Sequence, residues 1–233
     1  VFATLAIDQN ISIAYHLGIV AFISLLIVSV AYFYLLRNDR EATGNKLQFG
    51  KPDKFIFYTG LVVFCAAVCE GGIYDWSSVY FKEVVNAELF TLSYLVFMIS
   101  MTISRLFTDR IIMKMGMSNL FLISAIVVIL GITILILFPY FYTALLGFFI
   151  AGFGVASIFP MAFLLAGQSK KYAPGMAISI VGTYSTLGVL IAPPLIGYLA
   201  HIFNLNYAFL FFICAALFLI YFSKKAFFYL AKQ

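Results

Sequence analysis

Charge is scarce in this sequence: Asp, Glu, Lys and Arg together make up 10% of its 233 residues, against about 25% in ordinary soluble domains. That excludes a water-soluble globule, which needs a charged surface. Histidine occurs at two positions, cysteine at three and tryptophan at one. The cysteines, Cys65, Cys69 and Cys214, fall inside apolar runs and read as small packing residues rather than as a disulfide or metal framework. Neither His-Glu-x-x-His nor Gly-x-Ser-x-Gly occurs, and Tyr74-Asp75 has no Gly-x-Gly-Asp counterpart elsewhere. No enzyme, metal site or cofactor is therefore expected. An initiator methionine and a signal-peptide pattern are also missing. Val1 leads through Asp8 and Asn10 into a full-length apolar span, which predicts a chain truncated at its front.

What is present in quantity is apolar surface, 64% of the residues. Crossing the hydrocarbon core takes about 20 apolar residues. Runs of that length predict helices near 12–36, 55–80, 88–107, 118–138, 141–167, 175–200 and 207–222, an all-α polytopic membrane bundle of about seven transmembrane helices. The breaks between them are polar or carry Pro and Gly, as at 37–54, 82–88, 108–116, 139–140, 168–174 and 201–206.

The net charge of +5 suggests a nucleic-acid partner only until its distribution is read. Arg37, Arg40, Lys46, Lys51 and Lys54 lie in the first break, Arg105, Arg110 and Lys114 around the third, Lys170 and Lys171 in the fifth, and Lys224, Lys225 and Lys232 in the tail. Only Lys82 falls on the other side. Basic residues near span ends are retained in the cytoplasm, so Val1 is expected outside and the C-terminus inside, with no nucleic acid bound. The long basic loop divides the chain into a helix at 1–36, a cytoplasmic linker at 37–54, a six-helix unit at 55–223 and a cytoplasmic tail at 224–233.

Three stretches suggest a family. The segment Ser104 to Gly116, with Asp109-Arg110 and then Lys114, resembles the signature loop of the major facilitator superfamily. In that family the Asp caps a neighbouring helix end and the Arg joins a charge cluster that locks the outward-facing state. The resemblance thus implies a conformational-lock loop of Arg105, Asp109, Arg110 and Lys114. Ser104 stands where glycine is usual, and Lys114 alone fills the trailing basic slots. Gly147, Gly152, Gly154 and Phe159-Pro160 are similar to the family's tenth helix, and Gly188 to Gly197 with Pro193-Pro194 to its eleventh. Small residues there let helices touch and proline bends them. Finally, Glu70-Gly71-Gly72-Ile73-Tyr74-Asp75-Trp76-Ser77 is similar to the seventh helix of bacterial members related to fucose-type sugar permeases. The resemblance implies the C-terminal six-helix lobe of a bilobed transporter plus the last helix of the preceding lobe. It also implies alternating access for a small polar solute, sugars among the candidates, coupled to protons across the bacterial inner membrane. The partners are the substrate, protons, the lipid bilayer and the missing N-terminal lobe of the same chain.

Ionisable residues inside a span default to functional candidates. Sixteen residues beyond Lys54, Glu70 lies roughly 24 Å across the membrane. Gly71 and Gly72 predict a helix break beside it, exposing backbone to a cavity. Glu70, Tyr74 and Ser77 share a face by helical spacing. Glu70 is expected either to bond substrate hydroxyls or to exchange protons, since desolvation disfavours a carboxylate's charged form; a protonated Glu70 bonded to a neighbouring helix is the alternative. Asp75 and Trp76 are placed at the outer interface, Trp76 as anchor or gate, and Tyr74 and Tyr80 at the outer mouth. Tyr184, mid-span, is the best further cavity candidate, ahead of Tyr94, Thr183 and Gln168. His16 reads as a packed or relay histidine and His201 as an outer-loop residue. A seven-helix receptor or sensor with an outside N-terminus is the rival reading. A retinal pigment is not, because 207–222 holds no lysine.

Overall fold

The computed structural model describes residues 13–34 and 52–233, all their regular structure being helical. Helix α1 (Ile13–Tyr34) belongs to one compact unit and the remaining described helices to a second. The linker expected at 37–54 lies outside the described residues up to residue 51, as does the His16 side chain.

The second unit begins with α2 (Lys54–Glu83), whose N-terminus is capped by Asp53: its carboxylate accepts from Ile56 N at 3.3 Å. Helix α3 (Thr91–Met115) ends at Gly116, whose φ of 78° suits a residue without Cβ. Helix α4 (Met117–Leu137) stops ahead of Pro139. The next span is divided into α5 (Phe141–Val155) and α6 (Ile158–Ala166), and α7 (Pro174–Ile202) starts on a proline, where the missing N–H is harmless. A single turn, α8 (Leu205–Ala208), precedes α9 (Leu210–Leu230). Taking α5–α6 and α8–α9 as one span each, six helices are long and apolar enough to cross a membrane, and α1 adds a shorter apolar stretch, Leu17–Tyr32. The bundle of about seven helices is thus present, with two boundaries corrected: the last span, expected to end at 222, continues as helix to Leu230, and the third runs further than expected. The break expected at 108–116 is helix up to Met115, because nothing between Ser104 and Met115 is a helix terminator.

Helix α2 is the most buried of the spans. It runs parallel to α7 through small residues. A Cβ built at Gly188 would stand 2.7 Å from both Phe64 O and Ala67 Cβ, and one at Gly72 would meet the Phe212 ring of α9 at 2.5 Å. Helix α5 sits between α3 and α4. Its Gly147 and Gly154 face α4, where a Cβ at Gly154 would lie 2.8 Å from Ser124 O, and its Gly152 faces α3, 2.7 Å from Phe97 O. Backbones this close are what small residues permit where lipid offers no hydrophobic drive for association. At the basic end, the Gln233 side chain donates to Asp53 Oδ2 at 2.6 Å and accepts from Lys170 N at 3.2 Å. At the other end, the buried Tyr80 hydroxyl lies 2.7 Å from both Leu135 O and Asn206 Oδ1.

Candidate functional site

Helix α2 passes its two glycines unbroken, so the expected unwinding beside Glu70 does not occur. Gly71 and Gly72 instead admit Val189 of α7 and Phe212 of α9 against the helix wall. With the helix intact, Glu70 and Tyr74 lie one turn apart and both turn toward α3. Ser77 departs from that face: it is buried, and its hydroxyl donates to Tyr74 O at 3.3 Å.

The partner of Glu70 is Arg105. One guanidinium nitrogen, Nη2, lies 3.3 Å from Glu70 Oε1. The second carboxylate oxygen, Oε2, is buried without a hydrogen-bond partner among the described residues. Arg105 is also held at Nε, which donates to Ala156 O at 3.4 Å. The Arg105 side chain is 50% exposed and that of Glu70 25%. The pair therefore lies at the edge of an open face, where part of its attraction is screened. A single-point contact also leaves the guanidinium with donors to spare, since its fork carries five N–H groups.

One turn further along α2, the Tyr94 hydroxyl donates to the Tyr74 hydroxyl at 3.1 Å, and the rings meet edge to face with centroids 4.9 Å apart. Asp75 is exposed beside them and has no ion-pair partner within 4 Å among the described residues. Glu70, Arg105, Tyr74, Tyr94 and Asp75 thus form a polar strip on α2 and α3 that reaches from Arg105, well inside α3, to Tyr94 in its first turn. The middles of α4 and α9 expose only apolar or weakly polar side chains such as Ile126, Leu130, Cys214, Leu217 and Phe218.

Several sequence expectations resolve differently. Trp76 is a strut between α2 and α7: its indole Nε1 donates to Pro193 O at 3.2 Å, and its ring edge lies against Gly197. The polar edge of the ring is thus engaged between two helices of the same unit. Tyr184, the further cavity candidate, is half-buried in the middle part of α7. Its ring covers Gly60 and meets Phe57 edge to face, more than two turns nearer the basic end than Glu70. Tyr80 is a buried tie, not a mouth residue. Thr183 is exposed on α7, its hydroxyl bonded to Ile180 O, and Gln168 and His201 sit at helix ends.

The lock residues are on a helix rather than in a loop. Arg105 stands well inside α3 and joins Glu70, while Asp109, Arg110 and Lys114 continue down its exposed side without an ion pair among the described residues. The sequence separated Arg105 from Glu70 because a motif match assigned it to another role. The signal was available in the uninterrupted helical sequence up to Gly116, which places Arg105 at membrane depth, where it needs an acidic partner.

The smaller residues act as their types suggest, with one exception. Gly152, Gly154, Gly188 and Gly197 are contact points, and α7 runs continuously through Pro193 and Pro194. Pro160 does more than bend its helix. The span is interrupted at Ala156-Ser157, and Pro160 falls in the first turn of α6. Ser104, where glycine was expected, donates to Phe153 O at 2.7 Å, and Ser100 bonds to Phe149 O, so two serines one turn apart stitch α3 to α5.

A family model, the Major Facilitator Superfamily, matches residues 1–173. An uncharacterised MFS-type transporter of Yersinia pestis is 30% identical over 177 residues, 75% of this chain and 46% of that protein. Membrane protein MosC of Rhizobium meliloti is 29% identical over 193 residues, 81% of this chain and 47% of its own length. The chain spans about half the length of the curated relatives it matches. Among solved structures, the E. coli fucose:proton symporter is similar with a TM-score of 0.67 at 14% identity, covering 74% of this chain and 42% of that one. At that identity the likeness concerns the fold.

Proposed function

The chain belongs to the major facilitator superfamily, a family of membrane transporters and not of enzymes, and on that footing we propose that residues 55–223 form the C-terminal lobe of a proton-coupled secondary transporter for a small polar solute. In this reading residues 1–36 hold the last helix of the preceding lobe, 37–54 the linker and 224–233 the tail. The basic end faces the cytoplasm of a bacterial inner membrane, in line with the positive-inside distribution of lysine and arginine. The observation that carries the proposal is the Glu70–Arg105 pair, an ionisable couple part-way along two membrane-length helices and open on one side. Charges at that depth are retained for function, since they cost free energy and an apolar pair would not.

Glu70 then has two ways to be neutral, by its contact with Arg105 or by taking a proton. Alternation between them while the lobes rock couples proton movement to the solute. Tyr74 and Tyr94 offer hydroxyls and ring edges to a polyhydroxy solute, and the likeness to a fucose:proton symporter makes sugars the first class to try. Asp109, Arg110 and Lys114, unpaired among the described residues, remain candidates for a state-dependent lock against the other lobe.

The test is uptake by the full-length protein across a panel of sugars, amino acids and drugs, with and without an imposed proton gradient. We expect accumulation of at least one solute that collapses with the gradient. Glu70→Gln should lower gradient-driven accumulation by about tenfold or more, because an amide can neither take up nor release the coupling proton. A wild-type rate and pH profile in Glu70→Gln would remove Glu70 from the mechanism, and no transport of any solute despite correct insertion would remove the transporter reading.

A further inference from the structure

Pro160 stands in the first turn of α6, and in an unbroken helix its backbone N–H would bond to the carbonyl of Ala156. Proline has no such donor, and its ring crowds that carbonyl. The ladder has a gap between Ala156 N, bonded to Gly152 O at 3.2 Å, and Met161 N, bonded to Ser157 O at 3.3 Å, and within that gap the missing proline donor accounts for the Ala156 carbonyl. Ala156 is completely buried, where an orphaned carbonyl is costly. It is satisfied across the helix gap, by Arg105 Nε at 3.4 Å. The same guanidinium contacts Glu70. Two further bonds hold the break in register. The Ser104 hydroxyl takes Phe153 O, next to Arg105 in sequence, and Ser157 Oγ lies 3.0 Å from Ser124 Oγ of α4.

We propose that Pro160 is a positioning residue for the Glu70–Arg105 pair: by withholding its N–H it dedicates the Ala156 carbonyl to Arg105 and so fixes the cation that faces Glu70. The inference rests on the reading of Glu70 as a proton-exchanging group. Arg105 is the one ion-pair partner of Glu70 among the described residues. The other titratable groups near that stretch are Cys69, Tyr74 and Asp75 on α2 and, on α3, Tyr94 and Asp109, the latter one turn from Arg105 on its exposed side without an ion pair within 4 Å among the described residues. Between Phe141 and Ala166, α5 and α6 carry no Asp, Glu, Lys, Arg or His, and α4 carries none either. Helices α7 and α9 present Tyr184 and Tyr229 to α2 near Gly60 and Tyr58, far toward the basic end. A change at Pro160 can therefore reach Glu70 electrostatically through Arg105.

The experiment needs no substrate. The full-length protein in liposomes is titrated with protons, and the carboxyl C=O stretch of Glu70, assigned by its loss in Glu70→Gln, is followed by infrared difference spectroscopy. Arg105→Gln should displace the midpoint by ~1 pH unit or more, the usual effect of a neighbouring charge. Pro160→Ala, which restores an N–H to compete for Ala156 O, should displace it in the same direction by a smaller amount. The double variant should titrate like Arg105→Gln alone, since the two act through one interaction. Placing the α-hydroxy analogue of alanine at 160, which lacks both ring and N–H, should restore the wild-type midpoint. A wild-type midpoint in Pro160→Ala, additive shifts in the double variant, or failure of the α-hydroxy analogue to restore the midpoint each overturn the proposal. If Glu70 shows no titration in the wild-type protein, the proton-coupling reading falls with it; if Arg105→Gln shifts the midpoint and Pro160→Ala does not, only the role of Pro160 falls.

Discussion

Ser100, Ser104 and Arg105 lie on one side of α3, and each gives a side-chain donor to a carbonyl of α5 or of the break that follows it, at Phe149, Phe153 and Ala156. Inside a bilayer such side-chain bonds are worth roughly 0.6 kcal/mol on average and seldom above about 1.7 kcal/mol. Ser104→Ala should therefore lower the unfolding free energy of the full-length protein in detergent by about 1 kcal/mol. Ser104→Gly should lower it by at least as much, although glycine is the residue usual at that place in the family's loop. An unchanged denaturation midpoint in both would mean that the Phe153 carbonyl finds another donor. Glu70 was legible in the sequence as an ionisable residue in an apolar run. Its partner was not, because the link between residues 70 and 105 comes from the crossing of two helices, which no local spacing encodes. The packing partners of Trp76 and Tyr184 were not legible for a related reason: a single aromatic in a chain with 27 phenylalanines and 15 tyrosines gives no sign of which wall it packs against.

Among the helices, the α2–α7 contact is controlled by glycine placement, and α7 supplies its own control. Gly182 and Gly188 are both helical and six positions apart. A Cβ at Gly182 would meet nothing within 4 Å, whereas one at Gly188 would stand 2.7 Å from the backbone oxygen of Phe64. Backbone cannot yield as a flexible side chain can. Gly188→Ala is therefore expected to cost about 1–3 kcal/mol as an overpacked contact, while Gly182→Ala should be neutral or stabilise by up to about 1 kcal/mol through helix propensity. Thermal unfolding of the two variants in parallel checks this; equal loss in both would contradict the close α2–α7 packing. The presence of such contacts was readable from small residues spaced four apart, Gly188 and Ala192. The choice of which glycine mattered was not, since propensity treats Gly182 and Gly188 alike and only the facing Phe64 distinguishes them. The interruption of the fifth span was half legible: Pro160 marked it, but proline acts on the carbonyl four residues earlier, so the gap opens at Ala156-Ser157 and not at the proline itself.

For the whole molecule, long-range order was the easiest part to read, because the hydrocarbon thickness imposes one length on every span and each apolar run reports it. The site was harder, because the polar strip on α2 and α3 acquires its meaning only from what faces it. That arrangement can be tested without knowing the solute. In a full-length background with Cys65, Cys69 and Cys214 replaced, single cysteines at Tyr74, Asp75 and Leu130 share membrane depth but not environment: the first two lie on the polar strip, and Leu130 is exposed on the apolar side of α4. A water-soluble maleimide reacts only with thiols that reach water as thiolates. Tyr74→Cys and Asp75→Cys should label in intact membranes and Leu130→Cys should not, despite its comparable exposure in the isolated chain. Labelling at 74 and 75 that changes with an imposed proton gradient would tie the strip to an alternating pathway, because a static groove has no reason to respond. Labelling of Leu130→Cys with protection of the other two would place lipid on the polar strip and water on α4, which the cost of an ionisable pair in hydrocarbon forbids; that result would overturn the assignment of the open face.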